Sequence, residues 1–213
     1  MPKAEQATDR RARSVFVNCP FDPDYQALFD ALVFAVIFCG FEVRSALEIV
    51  DSGEARLTKI VALMEASRFS IHDISRTALD PGSGLPRFNM PIELGIAIGM
   101  KHLGRVKLRD HRLMVLDAAP PEKRYRYQQF ASDLAGTDIK VHANAPTRAI
   151  GAVRDFLSPH SANPLPHAKA IESHREQFET VLPAMAIAAE QDPDELTYVD
   201  RLRHIFAFLE RTE

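Results

Sequence analysis

The chain has 213 residues, 46% of them hydrophobic and 26% charged, with a formal net charge of -3; these are ordinary globular proportions and disfavour collagenous, coiled-coil and wholly disordered classes. With a pI near 6.2 it lacks the basic excess by which sequence-independent nucleic-acid binders displace counterions from phosphates, and its longest nearly uncharged apolar run, residues 31–41, is about half of the roughly 20 residues a membrane-spanning helix needs. The two cysteines, Cys19 and Cys39, lack disulfide-framework or zinc-site spacing, so a soluble protein of the reducing cytoplasm is expected, with no nucleic-acid, membrane or metal partner.

Residues 1–13 carry Lys3, Arg10, Arg11 and Arg13 but precede no apolar signal core, and they read as a flexible leader. Val15-Phe16-Val17 predicts a short strand, stopped at Asn18 and by Pro20 and Pro23. Apolar residues then recur at helical spacing over residues 25–37, and Gly40 supplies the stop. A second strand is predicted over residues 41–47, a second helix over 55–66, and a third strand over 68–75 whose polar end leads into a Pro/Gly loop. A helix over residues 89–100 follows, with Pro91 and Glu93 in its first turn. Residues 112–117, 121–135, 138–142 and 146–157 read in turn as strand, helix, strand and helix.

Strands alternating with helices of this length require a parallel sheet covered on both faces, because a parallel connection has to cross over. The fold class expected is therefore α/β, a flavodoxin-like three-layer domain over residues 14–157 with a five-stranded parallel sheet. Ligands of such sheets bind beyond the carboxyl ends of the strands, so the polar stretches 18–24, 48–54, 73–87 and 117–123 should share one rim. Residues 158–167 turn to Ser, Pro, Asn and His and read as a linker. Residues 168–213 predict a helical hairpin whose second helix bears the stripe Leu196, Val199, Leu202, Phe206 and Leu209, suited to packing on the body or to a homo-oligomer or partner helix. Residues 1–163 carry 21 Lys+Arg against 19 Asp+Glu, and residues 164–213 carry 5 against 10, so the acidity resides in the tail.

No Walker A, GxGxxG, HExxH, GxSxG or EF-hand pattern is present. The eight histidines show no metal-ligand spacing, and His72 and Asp73 point to opposite faces of their strand. What remains is Glu93, an acid among the apolar, proline and glycine residues of Met90 to Met100. Two readings fit it: a carboxylate complementing a positive helix end, or one kept on the ligand-bearing rim for chemistry.

The strand Val15-Phe16-Val17 with Asn18, the strand Phe69-Ser70-Ile71-His72-Asp73-Ile74-Ser75 and the run Asn89-Met90-Pro91-Ile92-Glu93-Leu94-Gly95 resemble the superfamily joining nucleoside 2-deoxyribosyltransferases with TIR domains. The resemblance implies cleavage of an N-glycosidic bond, with NAD or a related nucleotide as substrate and no separate cofactor, and it puts Glu93 at the family's catalytic glutamate. One carboxylate suffices for NAD, whose nicotinamide leaves as a neutral base; the anion stabilises or attacks the ribose oxocarbenium. Asp73 is then a candidate proton donor or ribose ligand, and Asn18, Ser75 and Asn89 are candidate substrate-binding residues. Arg56 and Arg87 are candidates for a phosphate, and Phe21 for a base. Arg87-Phe88-Asn89 replaces the acidic, glycine-rich approach of the transferases, which favours NAD cleavage over deoxyribosyl transfer. The competing readings are a non-catalytic nucleotide-sensing or protein-interaction module, and a phosphoacceptor receiver domain, which the first strand's ending at Asn18-Cys19 fits poorly.

Overall fold

Five strands, β1 (Ser14–Asn18), β2 (Glu42–Arg44), β3 (Phe69–Asp73), β4 (Arg112–Asp117) and β5 (Ile139–Val141), form one parallel sheet in the order β2-β1-β3-β4-β5. They belong to a computed structural model that describes residues 10–76, 79, 82, 84–85, 88–119, 134 and 137–212. Every residue of β1 and β3 is buried, as the centre of a parallel sheet covered on both faces demands, whereas the edge strands β2 and β5 have only three residues each. The flavodoxin-like expectation is met: the chain leaves β1 in one direction, to β2, and returns on the other side as β3, which makes the β1/β3 boundary the switch point.

β2 and β3 are shorter than the runs 41–47 and 68–75 predicted for them. Ser45 ends β2 because its hydroxyl accepts the Leu47 N–H and starts a 3-10 turn, Ala46–Glu48. Asp73 ends β3 by accepting the Ser75 N–H. Helix α1 (Gln26–Phe38) follows the 3-10 turn Pro23–Tyr25. It closes as predicted at Gly40, whose φ of 82° suits a residue without Cβ. There the Gly40 N–H donates to the Ile37 carbonyl and the Phe41 N–H to the Val36 carbonyl, satisfying two orphan acceptors in a Schellman motif. The remaining described helices are α2 (Arg56–Glu65), α3 (Asn89–Leu103), α4 (Pro146–Leu157), α5 (Ala168–Ala188) and α6 (Tyr198–Thr212); the helix expected over residues 121–135 lies outside the described residues, save Leu134.

From Ala31 onward helix α1 is apolar all round, with every residue from Ala31 to Ile37 buried. A helix of that kind needs cover on both sides. The sheet covers one side, and α5 and α6 cover the other: Phe34 meets Phe178 at 5.8 Å between ring centroids, Phe178 meets Phe208 at 5.6 Å, and Arg201 Nε lies 3.1 Å from Asp30 Oδ1. The hairpin thus packs on the body. Leu196, Leu202 and Leu209 of the expected stripe pack against the core, joined by the buried Ile205 and Phe208, while Phe206, placed in the stripe by sequence, is 45% exposed.

The described end of the expected leader and the segment read as a linker are both tied to the body. Arg10 pairs with Glu42 at 2.8 Å, Arg11 pairs with Asp110 at 2.9 Å, and Arg13 donates to the Gly40 carbonyl. Beyond α4, Arg154 donates to the carbonyls of Leu165 and Pro166, and the His160 ring lies 5.0 Å from that of Phe69.

Phe178, fully buried between α1 and α6, anchors this packing. Phe178→Ala should lower stability by about 3–5 kcal/mol within a single denaturant transition. Two separated transitions, in either protein, would mean that the hairpin unfolds independently.

Candidate functional site

Parallel register puts Asn18 of β1 beside His72 of β3, so both strands end at the same level and their loops open on one rim. A cavity of about 290 Å³ lies there, lined by Cys19, Pro20, Phe21 and Asp22 after β1, Arg76 after β3, Arg56 at the start of α2, and Asn89 and Met90 at the start of α3. Its walls come from the two sides of the switch point, where ligands of doubly wound sheets bind.

Glu93 stands behind this wall. It follows Asn89 and Met90 by one turn on the inner face of α3, and it is 3% exposed. The helix starts at Asn89, so Glu93 is its fifth residue and opens the second turn. That corrects its expected place in the first turn and weakens the reading as a complement to the helix dipole, which fades beyond the first turn. Its Oε1 is 3.8 Å from the guanidinium of Arg56, a side chain half exposed to solvent, and its Oε2 is buried with no hydrogen-bond partner. Burial pushes the carboxyl up from its ordinary value, and the charge of Arg56 and the nearby Asn18 amide offset this only in part. Glu93 is thus an under-compensated buried carboxylate, which a folded chain rarely keeps without use.

Asp73 is the opposite case. Its Oδ2 accepts the Tyr25 hydroxyl at 2.6 Å and lies 2.9 Å from His142 Nε2, and its Oδ1 accepts the Ser75 N–H at 2.8 Å. The Asn144 N–H donates to His142 Nδ1 at 3.0 Å, which leaves the ring hydrogen on Nε2, the nitrogen nearer Asp73. Burial alone would raise the Asp73 carboxyl, but His142, the Ser75 N–H and Tyr25 outweigh it and hold the group below its ordinary value. A carboxylate kept ionised and enclosed by donors is a poor proton donor, so the geometry gives Asp73 a structural post rather than the acid role expected from sequence.

Of the other residues singled out in the sequence, Phe21, Arg56 and Asn89 line the cavity. Phe21 also sets its edge against Phe29 at 5.4 Å, so the same ring packs and faces the ligand space. Asn18 is 2% exposed, its amide hydrogen-bonds His72, and it lowers the Glu93 carboxyl. Ser75 serves Asp73 through its backbone and is outside the cavity wall. Arg87 lies outside the described residues. The sequence left five wall residues unassigned: Cys19, Pro20, Asp22, Arg76 and Met90. Their signal was position alone, directly after a strand or at a helix start. Arg76 pairs with Asp22 at 3.1 Å across the two loops, and burial raises the Cys19 thiol well above its ordinary value, which keeps it protonated and unreactive.

No family model, no curated protein and no solved structure matches this chain. Among the described residues no group of three or more His, Cys, Asp or Glu side chains is placed to hold a metal ion, and no helix is long and apolar enough to cross a membrane.

The sign of the Asp73 shift fixes a pH dependence. A carboxyl depressed in the folded state stabilises fully above the unfolded aspartate's range, about 3.9, and loses that contribution as pH falls through the folded value. Denaturant midpoints measured from pH 7 to pH 3 should therefore show Asp73→Asn well below the parent at neutral pH, with the gap narrowing below about pH 4. A gap that stays constant into acid would contradict the account.

Proposed function

We propose that the chain is an N-glycosidase that cleaves NAD or a related nucleotide, with Glu93 as the carboxylate that stabilises or attacks the ribose oxocarbenium. The observation that carries this reading is the buried, incompletely paired Glu93 directly behind a rim cavity at the switch point. The likeness of the Asn89-to-Gly95 run to the deoxyribosyltransferase and TIR superfamily supports it.

In that reading Arg56 does two things. At rest it is a loose partner of Glu93, at 3.8 Å. A nucleotide phosphate in the cavity competes for the guanidinium, draws it outward and opens the way from the cavity to the carboxylate. Arg76 adds a second cation on the wall, Phe21 offers a ring to a base, and Asn89 offers a polar edge to the sugar. In the reaction the C1′–N bond breaks with its electron pair moving onto the pyridinium nitrogen, so nicotinamide leaves neutral and no acid is needed. Water then adds to C1′ and releases a proton to solvent, giving ADP-ribose. The negative charge of Glu93, poorly solvated by protein, is placed to offset the positive charge developing on the ribose. Deoxyribosyl transfer from a purine is less well supported, because it needs a proton donor and Asp73 is held ionised.

Two measurements on Glu93→Gln test this. Nicotinamide release from NAD by the purified parent should fall by about a hundredfold or more; parent turnover unchanged by the substitution would remove Glu93 from the mechanism, and a parent that binds nucleotide without releasing nicotinamide would make this a sensing module. The second is stability. A carboxyl raised by burial opposes folding once pH exceeds the unfolded glutamate's range, about 4.3, and is neutral toward folding below it. Glu93→Gln should therefore unfold at higher denaturant than the parent at pH 7 and at a similar concentration near pH 4. A Glu93 that served only as a helix brace would give the reverse ranking at neutral pH.

A further inference from the structure

On the face of the sheet beneath α2 and α3, polar side chains from three elements replace the apolar residues such a face normally holds. Asn18, Ser70, His72 and His111 are each 2% exposed or less, and they divide this side of the core into two small clusters, one around Ile74 and Leu94 and the other around Phe16, Ile60 and Met64. They form one chain of hydrogen bonds: Asn18 Nδ2 to His72 Nδ1 at 3.1 Å, His72 Nε2 to Ser70 Oγ at 2.9 Å, Ser70 Oγ to His111 Nε2 at 2.8 Å, and His111 Nδ1 to the Ser67 carbonyl at 3.1 Å.

The last link fixes the direction of all the others. A carbonyl can only accept, so His111 carries its hydrogen on Nδ1 and its Nε2 accepts from Ser70. The serine's one hydrogen is then spent, and Ser70 must accept from His72 Nε2–H. That leaves His72 Nδ1 bare, so it accepts from the Asn18 amide nitrogen. Burial supports this state by disfavouring the charged form of both rings; it pushes His72 down to about 3 and lowers His111 as well. The Asn18 nitrogen keeps a second hydrogen, and the Asn18 amide lies near enough to Glu93 to draw its carboxyl down. An amide flipped the other way would set its oxygen against both the bare His72 nitrogen and the carboxylate.

We propose that His72 is a positioning residue: locked in its Nε2–H tautomer by Ser70 and His111, it holds the Asn18 amide with its N–H edge, not its oxygen, toward Glu93. This rests on the glycosidase reading of Glu93 for its catalytic meaning, but the wiring can be measured without turnover.

The test has two arms. In the full chain labelled with 15N-histidine, NMR of the ring nitrogens should show hydrogen on Nε2 of His72 and on Nδ1 of His111; hydrogen on Nδ1 of His72, or an average of the two tautomers, overturns the proposal whether or not the protein turns over NAD. The second arm compares His72→Phe with His72→Asn. Phenylalanine keeps the ring volume and removes the acceptor; asparagine leaves a larger void but presents an oxygen near the place of Nδ1. In the parent and both variants the Glu93 side-chain carboxyl 13C shift is recorded at neutral pH and, where nicotinamide is released, kcat and KM are measured. Phe should displace the carboxyl shift and lower kcat by about tenfold to a hundredfold with KM within about twofold, since a misplaced reactive group costs rate rather than binding. Asn should return the shift toward the parent and recover most of kcat. A purely structural role would follow packing, with Phe the milder change, and that ranking overturns the proposal. A parent without nicotinamide release contradicts the glycosidase reading alone; the tautomer and the carboxyl shift then decide the wiring.

Discussion

A carboxylate buried at the end of a central strand is tolerable only if the protein gives it enough donors, and the region around Asp73 is organised to meet that requirement. Its three partners come from three places: Tyr25 just before α1, Ser75 in the loop leaving β3, and His142 just after β5. Each contact fixes the exit of one chain segment from the sheet. The desolvation cost of the ion is met only when all three are in place, so satisfying Asp73 sets the shape of the rim. The cavity beside it inherits that rigidity, because the loop after β1 leads into Tyr25 and the loop after β3 carries Arg76.

Glu93 lies on the opposite face of the same sheet and is treated differently. One oxygen has a distant and solvent-exposed arginine, the other has no hydrogen bond, and the carboxyl is raised where Asp73 is lowered. Two buried carboxylates with opposite shifts at one strand-end rim are a common way for a protein to divide structural and chemical labour. Asp73 holds the scaffold, and Glu93 carries a charge whose stabilisation is incomplete until something positive arrives. A ribose oxocarbenium formed as a pyridinium base departs is such a species, and the cationic side chains on the cavity wall suit the phosphates that would accompany it.

Much of the fold was legible in the sequence because it depends on local pattern. The β1 run, the Gly40 stop and the strand–helix alternation each reflect a nearest-neighbour constraint, and parallel topology then placed the polar loops on one rim. The position of Glu93 was legible as an acid in an apolar helix, and the helix starts at Asn89 as predicted; counted from that start, Glu93 is the fifth residue and belongs to the second turn, not the first. The partners of Asp73 were not legible: Tyr25 looks like the first apolar residue of a helix, and His142 lacks metal-ligand spacing. The same holds for the chain from Asn18 to His111, since no periodicity marks polar residues that meet only after β1, β3 and the start of β4 come together. The hairpin was legible as two helical patterns, and its packing on α1 follows from the run Ala31 to Ile37, which is buried on every side.

The most direct test of the central claim is where the sugar sits. In a crystal structure of Glu93→Gln with NAD bound, the account predicts the nicotinamide ribose at the mouth between Arg56 and Asn89, with its anomeric carbon within about 3.5 Å of the residue 93 side chain and Arg56 turned outward onto a phosphate. A nucleotide bound with that ribose away from residue 93, or with Arg56 still closed over it, would contradict the account.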